Sequence, residues 1–119
     1  MKHFIINRIR SIGYAIKGAY LLLRNEASIQ VQACIAVLTT IAGFYFQISA
    51  TEWAIQLLTI AAVMGTEGMN TALEETADFI HPEHHQKIGK IKDLAAGAVF
   101  IVAIAAMVIG GIIYFPKIF

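Results

Sequence analysis

The sequence predicts an all-α membrane protein with three transmembrane helices preceded by an amphipathic surface helix. Three observations carry this. Of 119 residues, 58% are hydrophobic and only 14% charged, with a mean hydropathy of +0.69, whereas a soluble domain is about a quarter charged. Residues 29–46 and 94–115 contain no charge at all, and each run is long enough to cross a hydrocarbon core of about 30 Å. The lysines and arginines gather on one side of these runs. A chain of this length makes one domain, residues 1–119.

The first element is expected over residues 4–24. Ile5, Ile9, Ile12, Ile16, Ala19 and Leu23 recur at helical spacing, while His3, Arg10, Lys17 and Arg24 form a stripe every seventh residue. An apolar face beside basic groups suits a helix lying in the headgroup plane of an anionic leaflet. The first span, 29–46, covers about 27 Å. A short turn, 47–52, leads to the second span, 53–73, which opens at Trp53 as an interfacial anchor. The third span, 94–115, is ended by Pro116, with Tyr114 and Phe115 as belt residues.

Five cations, Lys2, Arg8, Arg10, Lys17 and Arg24, precede the first span, and Lys87, Lys90 and Lys92 lie between the second and third. The positive-inside rule puts both segments in the cytoplasm and the 47–52 turn outside. A net charge of +1 without a basic block argues against nucleic acid. Cys34 stands alone in an apolar run and reads as a small buried hydrophobe. The N-terminus lacks a signal-peptide layout.

The second span carries the anomaly. Glu67, Asn70, Glu74 and Asp78 are spaced by three, four and four, so they fall within about 80° on one helix face. Measured from Trp53, Glu67 lies about 21 Å along the helix and Glu74 about 31 Å. The row thus climbs from just beneath the inner headgroups to water. A carboxylate at that depth is costly and should face protein. Such a ladder serves a reaction between a lipid headgroup and a soluble substrate.

Glu26 before the first span, Glu83, His84 and His85 in the loop, and Lys92 with Asp93 lie on the same side. Carboxylates from separate elements with a lysine suit a magnesium–nucleotide site, because Mg²⁺ takes one or two carboxylates together with phosphate oxygens. No G-x-x-x-x-G-K-[ST] loop occurs, which excludes a P-loop enzyme. His81, His84 and His85 match no common zinc spacing. A proton-coupled transporter would also use an intramembrane glutamate, but here the acids exit to one side only. Three spans and one surface helix cannot enclose so many polar groups, so partner chains are expected to cover the Glu67 face.

These residues resemble the prokaryotic diacylglycerol kinase family, which includes undecaprenol kinases. The resemblance runs from about Gly13 to Phe115. It is carried by Gly13-Tyr14-Ala15-Ile16-Lys17-Gly18, by Asn25-Glu26-Ala27, and by Glu67-Gly68-Met69-Asn70-Thr71-Ala72-Leu73-Glu74 with Asp78. Glu83-His84-His85 and Lys92-Asp93-Leu94-Ala95-Ala96-Gly97-Ala98-Val99 complete it.

The resemblance implies a homotrimer in the bacterial inner membrane, with active sites shared between neighbouring chains. It implies ATP- and Mg²⁺-dependent phosphorylation of a lipid hydroxyl, with diacylglycerol as the expected acceptor and undecaprenol as the alternative. By position, Glu67 resembles the catalytic base, Glu26 and Glu74 the metal ligands, and Asn70 their support. Tyr14, Glu83, His85, Lys92 and Asp93 match ATP-contacting positions, and Asp78 a supporting one. Asn7, Gln32, Gly68 and Phe79 depart from the enterobacterial pattern, mostly on the lipid-facing wall and loop.

Overall fold

The computed structural model describes residues 1–119 as four helices and no strand: α1 Lys2–Asn25, α2 Ala27–Tyr45, α3 Ala50–Ile80 and α4 Gln86–Ile118. Each break has a local cause. Glu26, the single residue between α1 and α2, is extended (φ −102°, ψ 113°) and turns the chain there. The exposed carbonyls at the end of α1 are met by the Gln30 amide, which donates to Leu23 O at 3.1 Å and Arg24 O at 2.8 Å.

The α2–α3 turn is a Schellman closure. Ile48 N–H donates to Gly43 O (3.1 Å) and Gln47 N–H to Phe44 O (3.3 Å), with Gln47 left-handed at φ 52°. A capping box then starts α3. Ser49 Oγ accepts from Glu52 N–H (3.1 Å), and Glu52 Oε1 accepts from Ser49 N–H (2.9 Å). Beyond α3, Pro82 forbids continuation, and His85 Nδ1 accepts from Lys87 N–H at 3.0 Å to cap α4.

α3 and α4 form the main antiparallel pair. Lys117 Nζ meets Glu52 Oε2 at 3.0 Å, Tyr114 bonds Gln56, and Lys92 Nζ meets Asp78 Oδ1 at 2.6 Å. That register carries Glu67 level with Ala103 and Glu74 level with Ala96.

Helices α2 and α4 are long and apolar enough to cross a membrane. In a soluble protein such helices would be its buried core, yet only 11% and 6% of their apolar windows are buried. The accessible surface of 9065 Å² compares with about 6,300 Å² for a soluble monomer of this mass. Six residues are buried in all, among them Ile29, Ile48, Ala77 and Ile113. This is an all-α membrane protein whose apolar faces need lipid or partners.

Four expectations change in detail. The second expected span lies within the longer α3, whose composition is made less apolar by Gln56, Glu67 and Asn70. α4 begins before the expected span and runs through Pro116 to Ile118, because a proline in the last turn costs only one backbone bond. Cys34 is exposed on α2, on a face this chain does not cover. Tyr114 turns its hydroxyl inward to Thr39 O (3.1 Å) and Gln56 instead of outward to an interface.

Candidate functional site

The carboxylate row lies on the face of α3 that meets α4. Glu67, Asn70 and Glu74 are each half-buried, and Asp78, one turn further, is exposed. By the same register, Ala96 and Ala103 of α4 stand at the levels of Glu74 and Glu67. Asn70 Nδ2 donates to Glu74 Oε1 at 3.3 Å, while Asn70 Oδ1 is buried without a partner. An amide that steadies one carboxylate therefore presents a spare hard oxygen beside it. Glu67 makes no side-chain hydrogen bond, so its oxygens are uncommitted.

Glu26 sits at the α1–α2 break and lines a groove of about 330 Å³ with Gly18, Leu22, Asn25, Gly68, Thr71, Ala72 and Glu75. Gly68 forms part of its wall. A Cβ there would stand 2.9 Å from Leu22 Cδ1, so α3 passes close to the end of α1 at a leucine tip that can give way. The carboxylate that shares the groove with Glu26 is Glu75, and Glu74 is not among its walls. Glu75 was not singled out from the sequence, although Gly68, Thr71, Ala72 and Glu75 recur at helical spacing and mark a second face of α3.

The remaining candidates lie midway along α1, in the 81–85 loop and at the start of α4. Lys92, at the start of α4, is held by Asp78. His85 spends Nδ1 on capping α4, and its ring stacks edge-on with His81 at 5.3 Å. Glu83 is exposed in the loop, and its carbonyl pairs with His81 Nδ1 at 2.8 Å. Asp93 and Tyr14 are exposed and make no side-chain hydrogen bond.

One chain gathers no three groups able to hold a metal ion. The donors that are present, carboxylates with an amide oxygen, are nevertheless all oxygen. That is the set Mg²⁺ accepts when one or two carboxylates combine with phosphate oxygens.

The opposite end of the bundle is built differently. Gln56 is 5% exposed, and its amide donates to Thr39 O at 3.1 Å while its carbonyl accepts from Tyr114. Below it, Gln32, Thr39, Val63, Met64 and Ala106 line an apolar cleft of about 440 Å³ among α2, α3 and α4.

Comparison with known proteins agrees with the motif reading. A family model described as prokaryotic diacylglycerol kinase matches residues 13–114. The chain is 37% identical to undecaprenol kinase of Bacillus subtilis, over 94% of this chain and 92% of that protein. It is 32% identical to diacylglycerol kinase of Synechocystis sp., over 92% of this chain and 63% of that protein. It is 28% identical to diacylglycerol kinase of Escherichia coli, over 84% and 82%. The chain belongs to the prokaryotic diacylglycerol kinase family, and with it to the lipid kinases.

Proposed function

We propose that the protein transfers the γ-phosphoryl group of ATP to the terminal hydroxyl of a membrane lipid, on the cytoplasmic side of the bacterial inner membrane. The observation that carries this is the row Glu67–Asn70–Glu74, half-buried against α4 between two apolar helices. With α3 as the middle of three spans, Glu67 lies at the depth where a lipid hydroxyl resides. The lipid can then react without leaving the bilayer.

Phosphoryl transfer asks for positioning and charge neutralisation more than covalent chemistry. Glu67 takes the proton of the lipid hydroxyl as its oxygen bonds to the γ-phosphorus, while the bond from that phosphorus to the β-bridging oxygen breaks and ADP leaves. Glu26 and Glu74, with Asn70 in support, would hold Mg²⁺, which when bound offsets charge on the phosphates. Lys92 offsets more of it, and Tyr14, Glu83, His85 and Asp93 line the approach of the nucleotide. A homotrimer with shared sites is what the family resemblance implies, and two features support it. The uncovered surface is large, and Glu26 shares its groove with Glu75 instead of Glu74.

Undecaprenol is the acceptor favoured here, because the relative of that name is similar over nearly the full length of both chains. Diacylglycerol, the expectation from the motif, is the second reading, supported by the relatives from Synechocystis and Escherichia. An assay in mixed micelles with labelled ATP, either lipid, and Mg²⁺ present or chelated tests both. Phosphorylation of neither lipid would sink the proposal. Glu67→Gln should lower turnover by about 10²–10⁴ with ATP affinity retained; near-normal turnover would remove Glu67 from the base role.

A further inference from the structure

We propose that Asp78 is a positioning residue, which draws the Lys92 ammonium over the carboxylate row so that it meets the nucleotide phosphates. This rests on the kinase reading above. Lys92 Nζ lies 2.6 Å from Asp78 Oδ1, a charge-assisted bond across the two helices that flank the 81–85 loop. The side chains keep 36% and 58% of their exposure, and an ion pair so open to water adds little to stability. Ala77, beside Asp78 on α3, is buried at 5% exposure, whereas the ion pair lies open. The pair is therefore poorly suited to holding the fold and well suited to aiming a side chain.

The aim is specific. Lys87, Lys90 and Lys92 share this segment, yet Lys87 and Lys90 are exposed and have no acidic partner. Asp78 lies one turn beyond Glu74 on the same face of α3, so its lysine is pulled towards the row. A lysine stem has four rotatable bonds, and left alone it would sample a wide volume of water. Held by one N–H, the ammonium still offers two donors to phosphate oxygens.

The test is a double-mutant cycle on the full-length protein in micelles, read by affinity for a non-hydrolysable ATP analogue with Mg²⁺. Asp78→Asn and Lys92→Ala should each weaken binding about ten- to a hundredfold. The double variant should be no weaker than Lys92→Ala alone, and Asp78→Glu should recover most of the affinity. Wild-type binding by Asp78→Asn, effects that add, or loss of folding in every Asp78 variant would overturn the proposal. Lipid phosphorylation by the wild type is measured in parallel. Its absence would indict the kinase reading, whereas its presence with an unaltered Asp78→Asn affinity would indict only this one.

Discussion

The Tyr114 hydroxyl on α4 donates to the buried Gln56 carbonyl on α3, at the end of the bundle furthest from the carboxylate row. Tyr114→Phe removes the donor and leaves a buried acceptor unmet. Stability should fall by about 0.5–2 kcal/mol, the range for such a group in water and in membranes. Replacing both partners, Tyr114→Phe with Gln56→Leu, should be less harmful than Tyr114→Phe alone, because the Gln56 carbonyl is then no longer left buried without a donor. Thermal unfolding in a single detergent checks the order.

Glu52, in the first turn of α3, gives a dependence on pH. The Ser49 backbone N–H, and after it the Lys117 ammonium, hold its carboxyl below the usual carboxylate range. A depressed value means that the folded state favours the ionised form. The resulting stability is fully present above about pH 5 and lost as pH falls through the lowered value. Glu52→Gln keeps an acceptor for the cap and removes the charge. The advantage of the wild type over this variant should shrink steadily as pH falls below about 5 and through the lowered value, and should also shrink in high salt; a constant gap would contradict the assignment.

Much of the candidate site was legible because its helical face is written in spacing. Glu67, Asn70, Glu74 and Asp78 share a face in any α-helix, whatever packs against it, and their family motif is specific. Partners across helices were not legible. That Asp78 would take Lys92, that Tyr114 would turn in to Gln56, and that Glu75 would share a groove with Glu26 depend on the register of separate helices. No periodicity within one helix encodes that register. Cys34 was misplaced for a related reason: apolar sequence in a soluble protein means burial, whereas in lipid it is compatible with full exposure.

Gly43 controls the tight approach of α2 and α3. A Cβ at this position would stand 2.6 Å and 2.8 Å from two atoms of the Trp53 ring and 3.1 Å from Ile48 Cδ1. The indole is rigid and cannot yield as a leucine tip can. Gly43→Ala should therefore destabilise by about 1–3 kcal/mol, in contrast to Gly68→Ala, where the obstacle is the flexible Leu22. Trp53 is the single tryptophan of the chain, so its fluorescence should shift in the Gly43 variant. An unchanged spectrum with unchanged stability would show that the turn has slack.

The division of the acids between two faces of α3 makes a prediction about assembly. Glu26 lines the groove with Glu75, while Glu74 is paired with Asn70 on the face towards α4. If Glu26 and Glu74 serve one magnesium site, they come from different chains. Glu26→Gln and Glu74→Gln should each be inactive alone. Equal mixtures reassembled from unfolded subunits should recover about a quarter of wild-type activity, since in a closed ring that fraction of neighbouring pairs brings both intact residues together. The variants mixed without exchange should recover nothing. Persistent inactivity after verified subunit exchange would mean that both residues act within one chain, and the shared-site arrangement would have to be abandoned.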